Sequence, residues 1–137
     1  MMNINLYMFT FTIIIVSLIV NLALSLYGVL VKPNIVKKII SLTILGDSAN
    51  TFAILIGYRA IYPVSPPVQL NIPPSPSDVF QLTSLSVDPL PQALVLTAIV
   101  IGLAVNIFLI FLAIQIHRLY GTLDMREIAR IKGVGYE

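Results

Sequence analysis

The 26 residues from Leu6 to Val31 include no Asp, Glu, Lys, Arg or His. About 20 apolar residues in a helix are enough to cross a bilayer. Backbone groups at that depth must be hydrogen-bonded within the chain, which favours a helix. No basic residue precedes the run, and it is longer than the apolar core of a signal peptide. We therefore expect a membrane-spanning helix here rather than a cleaved leader.

Two further apolar segments follow, at about 39–61 and 92–118, and Asp47 is the one acidic residue inside them. Over the whole chain 58% of residues are apolar and 10% are charged, whereas about 25% are charged in a typical soluble domain. The sequence predicts an all-α membrane protein with three transmembrane helices within residues 1–120. Asp88 followed by Pro89 has the pattern of an N-cap and a first helical residue, which should start the third span.

Basic residues are distributed unequally between the two ends of these spans. Seven lie in the first loop or near and after the end of the third span, while Arg59 alone lies in the connection between the second and third spans. Cytoplasmic segments carry an excess of Lys and Arg. We therefore expect an external N-terminus and a cytoplasmic C-terminus in a multi-pass protein of the cell membrane. The seven residues are Lys32, Lys37, Lys38, Arg118, Arg126, Arg130 and Lys132.

The segments outside the spans are of two kinds. Residues 63–92 contain eight of the nine prolines and no glycine, a composition typical of stiff, extended chain that is poor at forming helix or sheet. We expect a proline-rich external loop over 63–91, either packed over partner subunits or disordered. The cytoplasmic tail, 121–137, predicts one short helix over Met125–Ile131 that ends at Gly133.

The composition excludes several kinds of site. The chain has no cysteine and one histidine, which rules out disulfides, thiolate zinc sites, cysteine-ligated iron–sulfur clusters and multi-histidine metal sites. A net charge of +2 is too small to indicate nucleic-acid binding. The sequence also has no glycine-rich phosphate loop and no Ser/His/Asp set. We expect no cofactor, no metal and no catalytic site of the chain's own, although it can still belong to a redox-driven enzyme complex.

Asp47 is the residue most indicative of a function within the membrane. Placing Asp near a helix centre costs about 2.5–3.5 kcal/mol, so such a residue normally faces protein or water. Thr43, Asn50 and Thr51 lie three or four residues from it and predict one polar face. Thr97 adds a polar group to the third span. Asp47, Thr43, Asn50 and Thr97 are therefore candidates for a proton or cation path; the alternative is a carboxyl group that only joins helices.

Small residues at four-residue spacing predict close helix contacts. The second span has Ala49, Ala53 and Gly57, and the third has Ala98 and Gly102. Such ridges let neighbouring helices approach closely in a membrane. Since polar and small stripes occur on all three spans, we expect more contact faces than three helices can pair among themselves, and therefore other membrane subunits as partners.

The run DPLPQALVLTAIVIGLA, residues 88–104, resembles the segment that opens the third helix of the small subunit termed C in Mrp-type cation/proton antiporters. That protein is related to the small membrane subunit termed K in respiratory complex I and to its equivalent in archaeal membrane-bound hydrogenases and sulfane reductases. The resemblance covers about residues 6–62 and 88–118. It implies a non-catalytic subunit of a large ion-translocating complex that bridges antiporter-like subunits in the lipid bilayer.

The resemblance also bears on the acidic residues of the path. The related complex I subunit carries one glutamate in its second helix and one in its third, and the resemblance places these at about Thr43 and Ala98. Neither position is acidic here. Asp47, one turn beyond Thr43, would replace the first glutamate, while the second has no substitute. An antiporter or hydrogenase type of module therefore fits better than a true complex I.

Two other functions compete with this interpretation. The first is a purely structural assembly subunit in which Asp47 is sealed inside a helix contact. The second is a stand-alone small multidrug exporter, but such proteins usually have four spans and a carboxylate in the first helix, and this first span has none.

Overall fold

The computed structural model describes residues 4–58, 63–69 and 71–133, with the side chains from Leu6 onward. Within these residues the secondary structure is helical, apart from isolated bridges. Three of the five helices are long and apolar enough to cross a membrane, as predicted. The helices are α1 (Ile4–Val31), α2 (Ile35–Gly57), α3 (Pro76–Leu85), α4 (Pro89–Tyr120) and α5 (Met125–Ile131).

Side-chain caps set the starts of the second and third long helices. Asn34 accepts hydrogen bonds from the backbone N–H groups of Val36 and Lys37, at 3.0 and 3.3 Å, and α2 therefore begins before residue 39. Asp88 accepts from the N–H of Leu90 at 2.9 Å with Pro89 as the first helical residue, which confirms the predicted start of α4. At its other end α2 stops at Gly57, because Tyr58 is extended, and the expected continuation over 59–61 lies outside the described residues.

The helix α2 packs against α1 on one side and against α4 on the other. The less exposed side chains of α1 recur at a mixture of three- and four-residue steps, as in a left-handed helix pair. Near the end of that face, a Cβ atom added to Gly28 would overlap Ser41 Oγ, so the two helices approach closely there. The buried apolar core of the described residues is small and consists of Leu18, Val87, Val95 and Ala113.

The proline-rich connection contains the ten-residue helix α3, which corrects the expectation that this segment is extended. The helix starts with a capping box: the Ser75 hydroxyl accepts from the Asp78 N–H at 3.2 Å, and Asp78 Oδ2 accepts from the Ser75 N–H at 3.0 Å. The Asn71 amide also donates to Asp78 Oδ2, and these hydrogen bonds, that from Asn71 first, lower the pKa of the Asp78 carboxyl below its ordinary value. A proline is well tolerated at the first position of a helix, where Pro76 stands.

Backbone hydrogen bonds tie the remaining segments to the helix ends. The Asp88 N–H donates to the Gly57 carbonyl at 3.1 Å, joining the end of α2 to the start of α4. At the opposite end the Ile35 N–H donates to Leu123 O and the Met125 N–H donates to Pro33 O. The helix α5 covers Met125–Ile131 as predicted. This second end carries the seven basic residues, whereas Arg59 lies outside the described residues.

Candidate functional site

Asp47 lies at the middle of α2. Twelve residues of the helix precede it and ten follow it, so it is about 18 Å from the start of the helix at 1.5 Å per residue. The expected span of about 39–61 placed it only a third of the way in, and the earlier start of α2 at the Asn34 cap moves it to the centre. A carboxylate at that depth is costly unless protein or water surrounds it.

A groove of about 690 Å³ opens beside Asp47 between the central parts of α2 and α4. Three of the four sequence-predicted path residues line it, and a fourth polar side chain reaches it from α4. All other lining residues are apolar or glycine. The polar residues are Thr43, Asp47, Asn50 and Asn106.

The Asp47 side chain is exposed in this groove and has no hydrogen bond or ion pair within the described residues. Its backbone carbonyl accepts from the Thr51 hydroxyl at 2.8 Å. The Lys38 ammonium, which is closer to the basic end of α2, donates to the Val29 carbonyl at 2.7 Å and not to Asp47. The carboxyl group is therefore open to a proton, a cation or a partner side chain.

Thr43 and Asn106 link the two walls of the groove. Thr43 Oγ1 lies 3.1 Å from Asn106 Oδ1 and 3.0 Å from the Ile39 carbonyl oxygen. Asn106 was not among the sequence-predicted path residues. Its signal is nevertheless present, because Ala98, Gly102 and Asn106 recur every four residues and so share one face of α4.

The other predicted residues separate into two groups. Thr97 is exposed on α4 and does not line the groove. Among the predicted packing residues, those that line the groove are Ala49, Ala98 and Gly102, while Ala53 and Gly57 lie outside it. A Cβ built on Gly57 would lie 2.6 Å from Pro91 Cγ, whereas one on Gly102 would have no atom within 4 Å. Within this chain Gly57 is thus a close contact and Gly102 is not.

A groove of this composition can hold a proton or a cation at its carboxyl group. It offers one carboxylate with hydroxyl and amide neighbours, and no cluster of three His, Asp or Glu side chains that would hold a metal occurs among the described residues. The two positions matched to the family's glutamates, Thr43 and Ala98, both line this groove together with Asp47. The three positions therefore meet in one space between α2 and α4.

A protein-family model described as NADH-ubiquinone/plastoquinone oxidoreductase chain 4L matches residues 11–133 of this chain. The match contains both walls of the groove. It also runs through α3 and α5, which lie outside the resemblance found from the sequence.

Two curated relatives are antiporter subunits, and a third has no assigned function. The C1 subunit of a Na(+)/H(+) antiporter of Staphylococcus epidermidis is 35% identical over 101 residues, 73% of this chain and 76% of the relative. The C1 subunit from Staphylococcus aureus is 34% identical over 112 residues, 82% and 85% of the two chains. An uncharacterized protein of Methanocaldococcus jannaschii is 35% identical over 107 residues, 78% of each.

A solved structure of the membrane-bound sulfane sulfur reductase, an archaeal respiratory membrane complex, contains a similar chain. That chain matches with a TM-score of 0.65 and 37% sequence identity. The similarity covers 83% of this chain and 94% of the other.

Proposed function

The chain belongs to the NADH-ubiquinone/plastoquinone oxidoreductase chain 4L family, and we propose on this basis that it is a small membrane subunit of a multisubunit complex that translocates cations or protons. Its similarity to the C1 subunits of Na(+)/H(+) antiporters and to a chain of a respiratory membrane complex supports that class of assembly. Either a stand-alone antiporter or a redox-driven complex of the sulfane reductase type would accommodate it, in the cell membrane.

The observation that carries an ion-path role is the position of Asp47 in the groove. The carboxylate is at the centre of α2, exposed to an open space, and beside the Thr43–Asn106 link. A carboxyl group there can take up and release a proton or balance a passing cation, which a neutral side chain cannot do. Our proposal is that this groove forms one section of a hydrated path whose remaining walls come from antiporter-like subunits.

Exposed polar side chains on α1 support the proposal that partner subunits cover this helix. Ser17 and Asn21 lie in the middle of α1 and are exposed. Polar groups at bilayer depth normally face other helices, because lipid chains offer them no hydrogen bonds. The small buried core of the described residues likewise leaves most of the surface of the three long helices open to lipid or protein.

A purely structural role is the competing proposal, and the Thr43–Asn106 contact favours it. That pair joins α2 to α4 without any titrating group, and Asp47 could serve in the same way toward a partner helix. The two roles differ in whether the charge of Asp47 is needed or only its hydrogen-bonding capacity.

Replacing Asp47 in the intact complex separates the two roles. Asn keeps the shape and hydrogen-bonding capacity but cannot titrate. We expect Asp47→Asn to leave assembly intact and to lower cation-dependent proton flux in membrane vesicles by about tenfold or more, equivalent to about 1.4 kcal/mol on the limiting barrier.

The control is Asp124→Asn, the same chemical change at the N-cap of α5, where Asn is also a good cap. It should leave flux unchanged. Native flux from an assembled Asp47→Asn complex would remove Asp47 from the mechanism. If Asp47→Leu then abolished assembly, the structural role would be established.

For the orientation we propose that the basic end faces the cytoplasm, following the excess of Lys and Arg there. Since the chain has no cysteine, single cysteines report position cleanly. A membrane-impermeant maleimide added to whole cells should label Val68→Cys, and Ile131→Cys only after the cells are opened; both sites are exposed. Labelling of Ile131→Cys alone in intact cells would reverse the orientation.

A further inference from the structure

A second groove, separate from the Asp47 groove, lies at the basic end of the molecule. It has a volume of about 420 Å³ and runs between the start of α2 and the end of α4, with Leu123 above it. We refer to it as the basic-end slot. Seven of its nine lining residues are apolar, and the two others, His117 and Arg118, lie at its outer end.

The walls of the slot are continuous apolar helix faces. On α4 the lining residues Ile110, Ala113 and Ile114 occupy the positions i, i+3 and i+4 of one face. From Ile110 to Arg118 the helix rises about 12 Å. One leaflet has a hydrocarbon thickness of about 15 Å. With its charged end at the bilayer surface, a slot of this length would reach through most of a single leaflet.

The cation at the outer end has no protein partner among the described residues. Arg118 is exposed and makes no side-chain hydrogen bond or ion pair in the part of the chain that the structure describes. The acidic side chains at this end that the structure describes are engaged around α5: Asp124 accepts from the Arg126 N–H, and Glu127 accepts from the Thr122 hydroxyl. The guanidinium of Arg118 carries a positive charge and has no counter-ion within residues 4–58, 63–69 and 71–133.

We propose that the basic-end slot binds a membrane lipid with an anionic phosphate headgroup, one of whose chains fills the slot while the phosphate contacts Arg118. The apolar walls match a hydrocarbon chain, the length matches one leaflet, and the charge at the outer end matches a phosphate. Basic pockets between transmembrane helices are a recognised setting for anionic headgroups. The inference is independent of ion transport through the Asp47 groove.

The test uses the full chain reconstituted in nanodiscs of equal parts phosphatidylglycerol and phosphatidylcholine. After extraction into detergent, native mass spectrometry counts the lipids of each kind that remain bound. We expect retention of phosphatidylglycerol over phosphatidylcholine. Arg118→Gln should reduce that preference about fivefold, the effect of one cation near a membrane surface, and Arg118→Lys should keep most of it.

Two matched controls distinguish the slot from general surface attraction. Arg126→Gln removes the same charge from an arginine at the same end that does not line the slot, and should leave the preference unchanged. Ile114→Phe fills the slot at a position that is 53% exposed, whereas Ile107→Phe makes the same change on α4 outside it at a position that is 61% exposed. Only Ile114→Phe should lower retention of the lipid.

Several results would overturn the proposal. Equal retention of the two lipids would do so, and so would equal effects of Arg118→Gln and Arg126→Gln, or full retention in Ile114→Phe. In the intact complex, a photocrosslinker on Ile114→Cys should react with lipid. High-yield crosslinking to another subunit would instead identify a protein helix as the occupant.

Discussion

The two contacts of α2 with its neighbours have opposite characters. Against α1 the helices approach so closely at Gly28 that an added Cβ would overlap Ser41 Oγ and would lie 2.8 Å from Ser41 Cβ. Against α4 the contact opens at its centre, where added Cβ atoms on Gly46 and Gly102 would have nothing within 4 Å. Glycine thus allows close packing between α1 and α2 and leaves open space at the centre of the α2–α4 contact, whereas at the start of α4 Gly57 packs closely on Pro91.

The difference indicates separate roles for the two sides. Helices in a membrane associate through close packing and hydrogen bonds, because lipid is as apolar as their side chains. The α1–α2 contact relies on close packing, which makes these two helices one structural unit. The α2–α4 contact is close only near Gly57 and Pro91; at its centre it has the Thr43–Asn106 link and leaves the groove open beside Asp47. We therefore expect the functional groups to lie on the side of α2 that faces α4, and the α1–α2 contact to contribute mainly to stability.

Among the substitutions that test this difference in packing, Gly28→Ala should have the largest effect on the unfolding free energy. Gly28→Ala forces a methyl group into Ser41, and overpacking of this kind costs about 1–3 kcal/mol. The free energy of unfolding in mixed micelles, followed by circular dichroism, should fall by that amount. Adding Ser41→Gly removes both clashing atoms and should restore most of the loss.

The matched control is Gly46→Ala, the same change on α2 where the added methyl group has open space. It should leave the unfolding free energy unchanged or slightly higher, because Ala favours a helix. If Gly28→Ala and Gly46→Ala behave alike, the two sides of α2 are not different in packing, and the contrast fails.

The sequence predicted the three long helices, the Asp88 cap and the tail helix, because each depends on local composition or on one capping side chain. It did not predict which face of α1 meets α2. Ser17, Asn21 and Ser25 recur every four residues along α1, but in the structure Ser25 alone of the three is buried. A step of four residues turns about 40° past a full helical turn, so a strict four-residue stripe drifts away from a contact that mixes three- and four-residue steps.

The helix α3 and the groove were missed for different reasons. The proline content of 63–92 masked the capping pattern Ser75-Pro-Ser-Asp78, although this pattern lies just before an apolar run and is a recognisable start signal. The groove depends on how α2 and α4 cross, which no local pattern encodes. Asp47, Thr43 and Asn50 were identified from their common face, whereas the partner of Thr43 on α4 required the structure.

A smaller effect is expected from breaking the Thr43–Asn106 link. Thr43→Val and Asn106→Leu each remove one side of the contact, and a double-mutant cycle isolates their coupling. Side-chain hydrogen bonds between membrane helices average about 0.6 kcal/mol, and we expect a coupling of that size in the unfolding free energy. Zero coupling would mean that the central parts of α2 and α4 are held together by apolar contacts alone, with no side-chain hydrogen bond that stabilises them.

The smallest effect on the unfolding free energy is expected at Gly102. This position also gives the most direct test of what occupies the groove between α2 and α4. In the chain alone Gly102→Ala meets no neighbouring atom within 4 Å, so the unfolding free energy should change by less than about 0.5 kcal/mol. In the assembled complex the result depends on what occupies the groove. A hydrated path tolerates one methyl group, and both assembly and ion flux should then stay at native levels. A partner helix seated against Gly102 would be pushed away, so that the variant folds normally alone and yet fails to assemble. Because the isolated chain serves as its own control, failed assembly could not be attributed to misfolding, and it would assign the groove to helix packing in place of ion conduction.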